Sequence, residues 1–144
     1  MAKMKKRVKS TAVKVDAKEL MQKLQAIDQV QAVIEFTMDG TVLTANENFL
    51  KPVGYVLEEI KGQHYRMFCD PAYVASPEYP EFWVKLNWGE YDAGTYQRVG
   101  KGGKEIWIQA AYYPLRDSIG KLYKVVKYAS GVTEKQVEII QLRG

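Results

Sequence analysis

The chain has 144 residues, 47% of them hydrophobic and 12% aromatic, which suits one globular domain with a single core. Cys69 is the only cysteine and His64 the only histidine, so an intrachain disulfide is excluded and a multi-ligand zinc site lacks donors. Of the net charge of +4, +6 falls in residues 1–15, which leaves −2 for the rest. A basic arm of that kind can bind nucleic acid or anionic lipid, but the folded part is close to neutral and no nucleic-acid partner is expected for it.

In chain order, residues 1–14 are expected to be a disordered basic tail. Asp16 is placed to cap a flanking helix over residues 15–30. In it Ala17, Leu20, Leu24 and Ile27 recur at helical spacing and form one apolar stripe. The stripe is too short for a self-sufficient coiled coil, so it packs on a sheet or on a second copy of itself. Ala32 to Thr37 alternates as a strand, Asp39-Gly40 is a two-residue hairpin signal, and Thr41 to Ala45 returns. Asn46 caps a short helix, Glu47 to Val53, stopped by Gly54. Leu57 to Ile60 is a second short turn, stopped by Gly62, and His64 to Cys69 a third. Asp70-Pro71 is a loop former.

Ser76-Pro77-Glu78 is a helix start, with serine as cap and proline at the first helical position. Tyr79, Phe82, Trp83 and Leu86 then line one face that must be buried. After Gly89 comes a long hairpin. Thr95, Tyr96 and Val99 favour one strand. Lys101-Gly102-Gly103-Lys104 supplies a turn tolerant of positive φ. Ile106 to Tyr113 is the second strand, with Pro114 ending it. Arg116 to Gly120 is a turn, Lys121 to Ser130 a last strand, and Thr133 to Leu142 a closing helix. Five antiparallel strands with helices segregated to one face predict an α+β fold.

Taken together, these features resemble a PAS domain over residues 31–133, preceded by the flanking helix and followed by an output helix at 134–144. The resemblance rests on Asp39-Gly40-Thr41 followed by Ala45 to Phe49, Gly54-Tyr55 with Glu58, Glu59, Ile60 and Gly62, and Phe82-Trp83 with Leu86, Gly89 and Glu90. Gly100 to Ala110 with Pro114, and Val132-Thr133-Glu134, complete it. It is nearest to PAS domains of bacterial methyl-accepting chemotaxis receptors and related signalling proteins. It implies a five-stranded antiparallel sheet with short helices on one face, enclosing a small-molecule pocket. Dimeric flanking helices would pass the signal to an effector module. Gly131 stands where the family usually has the aspartate that joins sheet to output helix, while Thr133 of that motif is kept.

From the resemblance, Asn46, His64, Tyr65, Phe68, Trp83, Ile108, Ala110, Tyr112 and Ala129 are the candidate pocket residues. Ile108, Ala110 and Tyr112 would face inward, and Trp107, Ala111 and Tyr113 would form an apolar outer face, a feature that usually marks an interface. Flavin-photoadduct members carry a reactive cysteine after an asparagine in the third short helix. Here the dipeptide is His64-Tyr65, with Tyr65 at the thiol position, which argues against adduct chemistry. Flavin-binding aerotaxis receptors show a histidine and two tryptophans at His64, Trp83 and Trp107. Their arginine–histidine pair is replaced here by Phe68-Cys69, which removes two charge-assisted donors for an FAD pyrophosphate. His64 is the one protein nitrogen suited to axial haem ligation, and tyrosine also ligates ferric haem. Haem, FAD and no cofactor therefore all stay open.

No nucleophile–base pair, spaced carboxylate pair or phosphate loop argues for an enzyme; Gly100-x-Gly102-Gly103 lies in a hairpin turn. No apolar run approaches the ~20 residues of a membrane helix, and no apolar stretch follows the basic N-terminus as in a signal peptide. A cytoplasmic sensory input domain, homodimeric through its N-terminal helix and outer sheet face, is the expectation. The alternative is a ligand-free module that fills its own interior and acts by dimerising.

Overall fold

The computed structural model describes residues 16–131. The basic tail and the expected output helix at 134–144 lie outside them. Asp16 caps helix α1 (Ala17–Val30), its carboxylate accepting the Lys18 N–H. Strands β1 (Ala32–Thr37) and β2 (Val42–Ala45) follow. Asn46 then caps α2 (Glu47–Val53) by accepting the Phe49 N–H, and Gly54 closes it at φ 78°. Helix α3 (Leu57–Ile60), a 3₁₀ turn (Tyr65–Phe68) and α4 (Pro71–Val74) complete the short elements. Helix α5 (Glu78–Asn87) leads into β3 (Asp92–Val99), β4 (Glu105–Arg116) and β5 (Leu122–Gly131).

Three details differ from the sequence expectation. Asp70-Pro71 opens a helical turn instead of a loop, because the Asp70 carboxylate accepts the Ala72 N–H and proline suits the first helical position. Ser76 does not cap α5; its hydroxyl donates back to the Tyr73 carbonyl at 2.6 Å. Pro114 does not end β4, which runs on to Arg116. Pairing with β3 stops at Tyr112, so at Pro114 one side of β4 is an edge, where a missing N–H costs no ladder bond.

All pairings are antiparallel, in the order β2-β1-β5-β4-β3. The last strand is thus inserted between the first and the fourth. The inner face presents Ile34, Phe36, Ala110, Tyr112, Val125 and Ala129. Above it lie Phe49, Leu50, Val53, Ile60, Tyr65, Phe68, Phe82 and Leu86, all buried, from the segment between Asn46 and Trp88. The α+β architecture expected from the sequence is present, with the short helices on one face. The β3–β4 hairpin tip is pinned to this roof. A Cβ on Gly100 would stand 2.7 Å from the Val53 carbonyl oxygen, so only glycine lets the hairpin seat against the end of α2.

Candidate functional site

Between roof and sheet is a small cavity of about 70 Å³. Phe49, Val53, Phe68, Ile106, Ile108 and Ala129 give it apolar walls. The exposed residues Asn48, Pro52, Ser130 and Gly131 mark its mouth. Two cations, Arg98 of β3 and Lys127 of β5, line its inner end. They are 4% and 1% exposed.

Strand alternation brings them there. Val125, Lys127 and Ala129 share the inner face of β5, as Tyr96 and Arg98 share that of β3. Lys127 Nζ donates to the Tyr65 hydroxyl at 2.6 Å. Arg98 Nη2 donates to the Tyr112 hydroxyl at 3.0 Å and Nε to that of Tyr65 at 3.3 Å, while Nη1 donates to the Gln97 carbonyl. The two tyrosine hydroxyls are 2.7 Å apart. Aromatic faces complete the shell. The guanidinium lies 4.9 Å from the Tyr96 ring centroid and 5.3 Å from that of Tyr73, and Lys127 Nζ lies 5.1 Å from both the Tyr65 and the Tyr112 rings.

The electrostatics are one-sided. The ion pairs among the described residues, Lys85–Asp92, Lys101–Glu59 and Lys124–Glu35, do not include either cation. Burial, and then the Arg98 charge, hold the Lys127 ammonium well below the ordinary lysine range. Burial raises the Tyr65 hydroxyl strongly and pushes Tyr112 up to about 12, the Arg98 charge opposing it in each. Both phenols are therefore neutral donors and acceptors at neutral pH. Burial also raises the Cys69 thiol, which leaves it a weak nucleophile. Among the described residues no three of His, Cys, Asp and Glu come together as metal ligands.

Of the nine residues singled out from the sequence, Phe68, Ile108 and Ala129 line the cavity. Tyr65 and Tyr112 hold its cations, and Ala110 is buried in the core beside them. Asn46, His64 and Trp83 lie elsewhere. Asn46 Oδ1 accepts from the Val33 and Phe49 N–H groups, and its Nδ2 donates to the Asp28 and Gln31 carbonyls, tying α1 to the roof. His64 Nδ1 accepts the Arg66 N–H at 3.0 Å, and its ring stands against Trp83, centroids 5.9 Å apart. Trp83 packs edge-on to Phe36. Arg98 and Lys127 were missed in the sequence. The available signal was a lysine inside the apolar alternation Val125-x-Lys127-x-Ala129.

The site does not fit the cofactors that the resemblance left open. Pockets for drug-sized ligands run to roughly 300–1,000 Å³, whereas stacked Phe36 and Tyr65, with centroids 4.8 Å apart, and Phe82 against Tyr112 fill this interior. His64, the candidate haem ligand, is outside the cavity, and its Nδ1 is already engaged as a cap.

The profile of the PAS fold matches residues 42–129. The chain belongs to the PAS family. This PAS domain is 45% identical over 117 residues to the biofilm dispersion protein BdlA of Pseudomonas aeruginosa, across 81% of this chain and 28% of that protein. It is 25% identical over 104 residues to the aerotaxis receptor of Escherichia coli, across 72% of this chain and 20% of the receptor. It therefore spans less than a third of either relative. A light-oxygen-voltage domain solved with a flavin analogue superposes with a TM-score of 0.69 at 23% identity, covering 87% of this chain and 93% of that one; at that identity the likeness is one of fold. No described helix of the PAS domain is long and apolar enough to cross a membrane.

Proposed function

We propose that this PAS domain is the sensory input module of a cytoplasmic chemotaxis-type signalling protein. It binds a small molecule in its cavity and signals through dimeric flanking helices. The observation that carries this is the position of the cavity mouth. Ser130 and Gly131 border it, and they are the last two residues of β5 before the segment that would lead to an effector. A ligand that bears on them reaches the output connection directly. The relatives named for aerotaxis and biofilm dispersion support a signalling role.

The test is the content of the purified protein. Small molecules released on denaturation are identified by mass spectrometry and absorbance. A stoichiometric species is expected from the wild type. It is expected to be missing from a folded Ala129→Leu variant, whose larger side chain takes up cavity volume. The same species in both would contradict binding in this cavity.

Dimerisation follows from α1. None of its residues is buried, and Leu20, Met21, Leu24, Ile27 and Val30 are all exposed. Met21, Leu24 and Ile27 border a groove against Val33 and Tyr128 of the outer sheet face. A second copy would cover this surface. Leu24→Glu should convert a dimer to monomer in sedimentation velocity without loss of fold by circular dichroism. A dimer that persists would exclude this stripe as the contact.

A further inference from the structure

We propose that the cavity takes an organic anion, a carboxylate on a short apolar tail, with its charged end between Lys127 and Arg98. This rests on the sensor function proposed above and names its ligand class.

The arrangement of charge is the reason. A buried cation is normally paired, because leaving water without a partner costs several kcal/mol. Here two cations line one buried space with no carboxylate paired to either among the described residues. Their contacts are to phenol hydroxyls and a carbonyl, which orient them without cancelling charge. Lys127 keeps two of its three donors beyond its bond to Tyr65. A carboxylate supplies the missing charge and accepts from both residues. Phosphate would satisfy the cations but not the walls, since Phe49, Val53, Phe68, Ile106 and Ile108 offer it no donors. An apolar tail directed toward the mouth matches them. Lys127 is faced by Arg98 from β3, Tyr65 from the 3₁₀ turn, Tyr112 from β4 and Phe49 from α2. Cys69 lies within electrostatic reach at the end of that turn. The other charge in this shell is positive, so anion binding favours the protonated lysine.

The experiment is isothermal titration calorimetry of the intact 144-residue chain with butyrate, butyramide and inorganic phosphate. Butyrate is expected to bind, and butyramide and phosphate to bind far more weakly or not at all. Affinity should fall as pH rises through the titration of Lys127, and in that range butyrate heats should depend on buffer ionisation enthalpy, showing proton uptake. Lys127→Met should remain folded and lose about 30-fold or more in butyrate affinity. Thermal unfolding of the same variant separates loss of the site from loss of fold. Butyramide binding equal to butyrate would overturn the anion assignment and leave the pocket sensor standing. Phosphate binding in place of butyrate would overturn the carboxylate assignment. Butyrate binding that survives Lys127→Met would place the anion elsewhere. No binding of any probe would also overturn the proposal, and the mass-spectrometric comparison with Ala129→Leu then decides the sensor function separately.

Discussion

Lys127→Met is expected to stabilise the domain by about 1–4 kcal/mol at pH 7, the range seen when buried charged groups are replaced by packed apolar side chains. The methionine keeps an unbranched stem and sets a polarisable sulfur among the Phe49, Tyr65 and Tyr112 rings. The Tyr65 hydroxyl loses one bond but retains Tyr112 and Arg98 as partners. The pH profile identifies the cause. In the folded chain Lys127 sits below its ordinary value. Between that depressed value and the unfolded value near 10.4, the unfolded chain binds more protons. Wild-type stability therefore rises with pH across this window. The variant should be more stable at pH 7 and should lose that rise, so the two curves converge toward high pH. Denaturant unfolding at several pH values measures both. A destabilised variant, or parallel profiles, would mean that the lysine is not held at an electrostatic cost. A side chain whose removal stabilises a fold is what a binding site retains at the expense of stability.

Asn46→Ala is expected to cost about 2–4 kcal/mol and to loosen α1. One side chain here does three jobs. It caps α2, a role worth about 0.5–2 kcal/mol. It satisfies the Val33 N–H at the start of β1, and it donates to the Asp28 and Gln31 carbonyls at the end of α1. Truncation leaves the part-buried Val33 N–H without its partner, while the Asp28 and Gln31 carbonyls keep the Asn48 amide as a second donor. Hydrogen exchange should show lost protection over 17–30 beyond the global change. Asn46→Asp separates the jobs: it keeps the acceptor for the cap but turns carboxylate oxygen toward the Asp28 carboxylate, now 3.0 Å from Asn46 Nδ2. It should retain most of α2 and still loosen α1. Equal exchange in α1 for all three chains would leave the contact between flanking helix and roof to Asn48, whose amide donates to the Asp28, Gln29 and Gln31 carbonyls.

How far the sequence revealed this molecule follows from the kind of signal at each place. Helix α2 was legible to the residue because two local devices bound it: the Asn46 cap and Gly54, which takes the left-handed conformation. Alternation divided β4 into two faces and the family resemblance chose the inner one, and Ile108, Ala110 and Tyr112 do pack in the core. Pro114 misled because its tolerance depends on where β3 stops pairing, a fact of topology. The site itself was hidden for a physical reason. Arginine and lysine are almost never fully buried, so Arg98 and Lys127 in strands suggest the wet face. Their burial depends on which face of β3 and β5 meets the roof, and on two tyrosines, Tyr65 and Tyr112, that approach from elements 47 residues apart in sequence. Asn46 had two roles open to it, cap and pocket residue. The structure places its amide among backbone groups of α1, β1 and α2.

The most direct measurement is the titration of the Lys127 ammonium itself, followed by ¹⁵N-lysine NMR in the free domain and with saturating butyrate. In the free domain Lys127 should titrate well below the other lysines, and butyrate should move it back up toward them. A Lys127 that titrates near the ordinary lysine value of about 10.4 in the free domain, and does not respond to butyrate, would contradict a buried, uncompensated cation waiting for an anion.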